Sequence, residues 1–174
     1  EIMLLYHRQN PLHAGIQAAE LRQKLFKGMD RSCADALISV LHQEGKLKKI
    51  ADRYALSDFT VTFTKRQRNI REKLLKVYTT SGIETPITDH IMEEFPSAER
   101  TDFKQVLESM VSSGELVMLI PQICLHKTTY AAICDAAKAH FEANDSLTLA
   151  QLRDLLNTSR KYSQAIIEYF DKIH

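Results

Sequence analysis

The sequence has few of the residues and motifs on which enzymes and disulfide-bonded proteins depend. Its 174 residues include five glycines, no tryptophan and three cysteines without CxxC spacing, namely Cys33, Cys124 and Cys134. An odd number of cysteines argues against a disulfide framework and favours a reducing compartment. No GxGxxG, Walker, HExxH or GxSxG motif occurs, so we predict no phosphate-cradling loop, no catalytic residue and no enzymatic activity.

Long apolar runs and a strong net charge are also missing. No segment approaches the roughly 20 apolar residues of a membrane span. Residues 1–5 lack the basic residues with which a signal peptide begins. We therefore expect a cytoplasmic protein without membrane contact, and the absence of a first Met indicates a piece of a longer protein. Because the net charge is only +1, nucleic acid could bind only through local basic patches.

Cysteine and histidine occur together in one part of the chain without forming a metal motif. Cys124, His126, Cys134 and His140 have spacings that fit no familiar zinc pattern. We therefore predict no metal site and interpret the thiols as buried structural groups.

One helical pattern occurs three times, over residues 35–44, 102–113 and 159–173. Apolar residues at positions i, i+1 and i+4 of these helices form the predicted packing side. The corresponding sets are Leu37, Val106 and Ile166; Ile38, Leu107 and Ile167; and Leu41, Met110 and Phe170. Gly45 and Gly114 follow the first two helices, as expected of a C′ residue in the left-handed region, and His174 takes this place in the third.

Short elements surround each of these helices, which we call reader helices. After each glycine, residues 46–56 and 115–125 predict two strands around a turn, with Pro121 near the second bend. Before each reader helix, an apolar i, i+4 pair predicts a shorter helix. These pairs are Leu21 and Leu25, Ile91 and Phe95, and Leu152 and Leu156. Each copy opens with a longer helix, over about 2–9, 66–80 and 129–143.

This order of elements is that of a helix-turn-helix followed by a β-hairpin wing. The sequence thus predicts a mostly α fold with small β-hairpin wings, in which tandem winged-helix domains span residues 1–63, 64–127 and 128–174. The last domain lacks its wing in this sequence. No Gly/Ser linker precedes the helix that starts at Thr64, so we expect the domains to stack stiffly.

Two of the shorter helices carry residues suited to capping their N-termini. Thr148 and Gln151 have capping-box spacing, in which each side chain accepts from the other residue's backbone N–H. In the second copy, Thr88 or Asp89 is the predicted cap.

The third reader helix carries the best candidates for nucleic-acid binding. Its N-terminus, where free N–H groups and the helix dipole favour phosphate, lies next to two adjacent cations. The candidate residues are Arg153, Thr158, Ser159, Arg160, Lys161 and Gln164. Arg160 can pair with a guanine edge or a phosphate, Lys161 suits a phosphate, and Ser159 is the predicted N-cap. The alternative is a solvated basic surface on a structural helix.

Two further basic clusters are open to the same two interpretations, a phosphate-binding surface or a solvated face. One lies on the helix after Thr64 and consists of Lys65, Arg66, Arg68, Arg71, Lys73 and Lys76. The other lies on the first wing and consists of Lys46, Lys48 and Lys49. The second reader helix is acidic instead, with Glu99, Asp102 and Glu108. Since these charges repel phosphate, we predict that the second copy is a spacer or a protein contact.

Residues at both ends of the chain resemble a known family. Residues 149–162 and 167–171 resemble the final winged helix of the bacterial selenocysteine-specific elongation factor. Residues 6–12, 15–16 and 20–22 resemble the opening of an earlier winged helix in the same C-terminal tail. The middle copy matches by pattern and order only.

The resemblance implies a monomeric mRNA-binding tail without a cofactor of its own. In that family the tail binds an mRNA stem-loop next to a UGA codon, and Arg153 and residues 158–161 would face the loop. GTP with magnesium, selenocysteinyl-tRNA and the ribosome would be bound through the remainder of the factor. The alternatives are a winged-helix DNA-binding transcription regulator and a protein scaffold that binds no nucleic acid.

Overall fold

The computed structural model describes residues 1–173, which form three successive groups of elements that we call modules. The first contains α1 (Ile2–Gln9), β1 (Ile16–Gln17), α2 (Ala18–Leu25), α3 (Arg31–Gln43), β2 (Leu47–Ile50) and β3 (Arg53–Leu56). The second contains α4 (Lys65–Thr80), α5 (Thr88–Glu93), a 3-10 turn (Ser97–Glu99), α6 (Arg100–Ser112), β4 (Leu116–Ile120) and β5 (Ile123–His126). The third contains α7 (Lys127–Phe141), α8 (Leu149–Leu156) and α9 (Arg160–Ile173). The mostly helical prediction is confirmed, and the domain limits stay a prediction.

Both predicted wings are present as antiparallel hairpins. In the first, Leu47 pairs with Leu56 across β2 and β3, and Ala51 takes a positive φ of 53° in the connecting turn. The second pairs β4 with β5 and contains a β-bulge between Met118 and Ile120. Strand β1 was not predicted, because a two-residue strand is too short to show alternation; it pairs with β3 and extends the first sheet to three strands.

Local signals at the helix ends were correct in most places. The capping box at Thr148 and Gln151 is confirmed, and Gly45 and Gly114 have the predicted positive φ, at 70° and 75°. The equivalent position of the third copy, His174, lies outside the described residues. The prediction for α5 was wrong, since neither candidate side chain caps this helix. Thr88 instead donates through its backbone N–H and its hydroxyl to the carbonyl of Gln122, in the turn of the second wing.

The residues predicted to form the packing side of the reader helices are buried or half-buried, except Leu37. This side chain is 41% exposed, whereas Ala34 and Ile38 are each 1% exposed and carry the packing of α3. The corresponding Val106 of α6 is fully buried. The difference follows from the first helix of each module, because α4 has 16 residues and covers α6 while α1 has eight and packs on β3.

The second wing is buried on both of its faces. Successive side chains of a strand point in opposite directions, and here each direction meets a different hydrophobic core. Cys124 and Leu116 join the core of the second module, which is built on α4 and α6. Ile123 and Leu125 join the core of the third module, together with Leu119. One hairpin therefore belongs to two cores and fixes the third module against the second.

The first and second modules meet through the acidic reader helix α6. The backbone N–H of Ala14 donates to Ser112 Oγ at 3.1 Å in a buried contact, and His13 Nε2 lies 3.5 Å from Glu108 Oε2. The second reader helix thus contacts the first module of the same chain, and its role as a spacer or a protein contact stays a prediction.

Gly15 lies so close to strand β3 that replacing it leads to a testable prediction. A Cβ atom at this position would lie 2.5 Å from the carbonyl oxygen of Tyr54, which is backbone and cannot move aside without distorting the sheet. Gly15→Ala should therefore lower the free energy of unfolding of the first module by about 1–3 kcal/mol. Chemical denaturation measures this change. Gln17→Ala, at an exposed position of the adjoining strand β1, is the control and should change stability by less than about 0.5 kcal/mol. Equal stability of the two variants would contradict the prediction.

Candidate nucleic-acid interface on the third module

Helices α8 and α9 form a helix-turn-helix whose turn is set by short polar residues. Asn157 ends α8 in the left-handed region with φ of 46°, a conformation that asparagine tolerates better than most residues. The backbone N–H of Thr158 then donates to the carbonyl of Arg153 at 3.1 Å. Helix α9 begins at Arg160, so Ser159 takes the predicted N-cap position. Its carbonyl accepts from Ser163 Oγ at 3.0 Å.

The apolar side of α9 holds the helix against the third core and directs its opposite side outward. Ala165 and Ile166 are buried with Leu152 of α8. Tyr169 meets Tyr130 of α7 edge to face, with ring centroids 5.7 Å apart. Towards the far end of α9, Ile173 is half exposed. The predicted amphipathic helix is therefore confirmed, with its packing strongest near the N-terminal half.

Three of the candidate residues are exposed along the outer side of α9. Arg160, Lys161 and Gln164 are all exposed to solvent. Lys161 Nζ lies 5.1 Å from the ring centroid of Tyr162, which orients the ammonium group without burying it. Gln164 Nε2 donates to Glu168 Oε1 at 2.8 Å, one turn along the same helix. The two cations are thus available to a ligand at the start of α9.

Arg153 is also exposed but interacts with its sequence neighbour. Its Nε and Nη2 atoms lie 2.9 and 2.7 Å from Asp154 Oδ1. An exposed ion pair of this kind contributes little to stability. The guanidinium can consequently exchange its partner for a phosphate at small cost.

Thr158 and Ser159 contact the second module instead of solvent alone. Glu84 Oε1 accepts from the backbone N–H of Ser159 at 2.7 Å and from the hydroxyl of Thr158 at 3.0 Å. The Ser159 N–H, followed by the Thr158 hydroxyl, holds the pKa of the Glu84 carboxyl below its usual range. Sequence reasoning missed Glu84, because it lies 75 residues from Ser159 and carries no local pattern.

Three of the six cations in the basic cluster on α4 have hydrogen-bond or ion-pair partners in the chain. Arg71 Nη2 lies 2.6 and 2.8 Å from the two carboxylate oxygens of Glu115. Arg66 forms an ion pair with the buried Asp102 of α6. Arg68 donates to the carbonyl of Phe63 at 2.9 Å. These contacts favour the structural interpretation for this helix over a continuous phosphate-binding surface.

The lysines of the first wing also make local contacts. Lys48 Nζ donates to the carbonyl of Ser57 at 3.1 Å and to that of Phe59, which fixes the segment after the wing. Lys46 Nζ lies 2.7 Å from Glu44 Oε2. These two of the three lysines therefore have carbonyl or carboxylate partners close to them in sequence.

The cysteine and histidine residues considered for zinc have different neighbours, and the prediction of buried thiols was correct for Cys124 and wrong for Cys134, which is half-buried. Cys124 is buried in the second core, and burial raises the pKa of its thiol to about 11. His126 Nδ1 lies 2.7 Å from Thr128 Oγ1 at the start of α7. His140 Nε2 lies 3.0 Å from the carbonyl of Ser146. Over residues 1–173 there is no cluster of three or more residues suited to a metal ion.

The fold defines the class of protein, and the comparisons with known proteins then define its family. Two helix-turn-helix units with hairpin wings, followed by a third helix-turn-helix, define a tandem winged-helix protein. Models of the family "Elongation factor SelB, winged helix" match it at residues 2–53 and 139–174. The chain belongs to this family of SelB winged-helix domains, as the resemblance noted above predicted.

One relative matches nearly the whole chain, including the middle module. The chain is 26% identical over 167 residues to the selenocysteine-specific elongation factor of Desulfomicrobium baculatum, and the match covers 96% of the chain. It covers 26% of that protein, so the chain spans about a quarter of the length of this relative. Within residues 1–173, no helix has the length and hydropathy needed to cross a membrane.

Proposed function

We propose that the chain is the mRNA-binding C-terminal part of a selenocysteine-specific translation elongation factor. Its third module binds the selenocysteine insertion hairpin of the mRNA. Family membership and the match to a selenocysteine-specific elongation factor support the general role. The remainder of the full-length factor binds GTP with magnesium, selenocysteinyl-tRNA and the ribosome in the cytoplasm. The winged-helix part acts as a monomeric binding module without a catalytic step.

The observation that carries the proposal is the exposed pair Arg160 and Lys161 at the start of α9. A helix N-terminus already favours phosphate, and the two side chains add positive charge at the same point. Proteins read RNA sequence mainly in loops and bulges, where bases are unpaired, because the major groove of A-form RNA is too deep and narrow for side chains. A small cationic tip fits such a loop. On α4, which carries the other large basic cluster, Arg66 and Arg71 are already paired with Asp102 and Glu115, so this helix offers less free positive charge for a duplex.

The first two modules hold this tip at a fixed place. The contact of Ala14 with Ser112 joins the first module to the second, and the shared hairpin joins the second to the third. Glu108 of the acidic helix α6 also lies close to His13 of the first module. We propose that these modules set the distance between the hairpin and the factor's other partners.

Competition binding tests the proposal against its alternatives. A hairpin RNA with an open loop should displace a labelled hairpin, whereas a DNA duplex of the same length should compete weakly. The logarithm of the affinity should fall with the logarithm of the salt concentration by about 0.7 per phosphate neutralised. A footprint on an mRNA with a hairpin beside a UGA codon should protect the loop. Preferential binding of duplex DNA would favour a transcription regulator, and no binding of either would favour a protein scaffold.

A further inference from the structure

The N-terminus of the proposed RNA-binding helix is already in contact with an anion from another module. Glu84 lies in the segment between α4 and α5, and it accepts hydrogen bonds from both Ser159 and Thr158. These two residues are among the proposed RNA contacts. The carboxylate thus uses the donors that a phosphate of the RNA would need.

The segment that carries Glu84 is anchored on both sides, so the contact is built into the fold. Thr85 is fully buried, and its hydroxyl donates to the carbonyl of Cys124 in β5 at 2.9 Å. Its own carbonyl accepts a hydrogen bond from the hydroxyl of Tyr162 in α9. The neighbouring residue Glu84 is consequently held beside the start of α9, while its side chain remains exposed.

A carboxylate and a phosphate cannot share this position. Both are acceptors for the same N–H and hydroxyl groups, and their negative charges repel each other at close range. The lowered pKa of Glu84 means that its carboxyl is ionised at neutral pH. Because the carboxylate is exposed, it can rotate towards solvent when a stronger anion arrives, without unfolding the segment.

We propose that Glu84 is a displaceable anionic cap of the RNA-binding helix. An RNA phosphate replaces the carboxylate at Thr158 and Ser159, and RNA binding thereby releases this contact between the second and third modules. The inference rests on the proposed function, since it concerns the same residues. Single phosphates are kept away from α9, whereas an RNA that also engages Arg160 and Lys161 gains enough to displace the cap.

Removal of one negative charge tests the competition. Glu84→Gln keeps the shape of the side chain and an acceptor oxygen, so it should bind the hairpin RNA about three- to tenfold more tightly than the unaltered chain. Glu93→Gln is the matched control, because Glu93 is an exposed carboxylate of the same module on α5. The control should stay within about twofold of the unaltered chain. Unchanged or weaker binding by Glu84→Gln, or an equal gain in the control, would overturn the proposal.

A second measurement decides the proposal without RNA. Inorganic phosphate is titrated into the unaltered chain and into Glu84→Ala, and the backbone amide signals are followed by NMR. The Ser159 signal should respond in Glu84→Ala at about tenfold or more lower phosphate than in the unaltered chain. The Ser32 amide, which Asp30 caps at 2.8 Å on α3, should not respond in either protein. An equal response of Ser159 in the two proteins, or none in either, would overturn the proposal.

The two measurements separate this inference from the proposed function. If the unaltered chain binds no hairpin RNA, the proposed function fails, and the phosphate titration still tests the cap. If the hairpin binds and Glu84→Gln has no effect, the function stands and the cap is wrong. Far-ultraviolet circular dichroism of each variant should match the unaltered chain, since Glu84 is exposed.

Discussion

Arg160→Ala should weaken binding of the hairpin RNA by about 1–3 kcal/mol, which corresponds to a loss of roughly 5- to 150-fold in affinity. The side chain is exposed at the first position of α9. There its planar guanidinium can bond two acceptors of a base edge or a phosphate at once. Fluorescence anisotropy with a labelled hairpin measures the change at fixed salt. Because Arg160 is exposed, its truncation should leave the stability of the third module unchanged.

The matched control for this experiment is Arg31→Ala. Arg31 is the first residue of α3, the reader helix of the first module, and its side chain is 82% exposed. It has the same charge and the same position within the module, so it reports the effect of losing one cation anywhere on the chain. We expect its effect to be less than about threefold. An Arg160 variant that binds as tightly as the Arg31 variant would remove Arg160 from the site.

Leu125→Ala should destabilise the third module, although Leu125 belongs to the wing of the second. The side chain is fully buried in the core that contains Ile166 and Leu152. Truncation of a buried leucine leaves a cavity and typically costs about 2–5 kcal/mol. Hydrogen exchange should show this loss as a lower opening free energy of the amides in α8 and α9. The same experiment should show a smaller change in α4, which packs on the other face of the hairpin.

Leu47→Ala is the control for the location of the effect. Leu47 is a buried leucine in the wing of the first module, and its core consists of residues of that module. Its truncation should cost a similar free energy and should lower protection in α1 to α3 only. The shared hairpin would be contradicted if Leu125→Ala lowered protection in α4 and α6 and left α8 and α9 unchanged.

Much of the fold could be predicted from the sequence because its signals are local. The period of apolar residues placed all three reader helices, and glycines with positive φ ended two of them. The capping box of α8 depends on two residues three positions apart, so it too was readable. The alternation and turn of each wing lie within about a dozen residues. Elements whose decisive contacts lie close together in sequence can therefore be predicted from the local pattern of residues.

The errors occur where the decisive partner is distant in sequence. Leu37 has the same helical spacing as Val106, but exposure depends on whether the module's first helix is long enough to cover it. Thr88 looks like a cap, yet its hydroxyl bonds to Gln122, 34 residues away. Such tertiary partners override local preference, and a single sequence carries no sign of them.

The candidate site divides in the same way. The exposure of Arg160 and Lys161 follows from the apolar stripe of their own helix, so it could be predicted. The contact of Thr158 and Ser159 with Glu84 could not, because it depends on how two modules pack. The roles of all six residues in binding RNA stay a prediction. Arg160→Ala tests one of these roles directly, and the Glu84 variants test Thr158 and Ser159 through their shared contact.

The shared hairpin also decides where this array can be severed. A cut between Lys127 and Thr128 would follow the boundary suggested by the repeat, but it would strip Ile123 and Leu125 from the apolar side of α9. The isolated fragment would expose an apolar surface of α9 to solvent and would tend to aggregate. The smallest autonomous unit containing the tip must therefore include β4 and β5, so the repeat seen in the sequence is offset from the physical unit of folding.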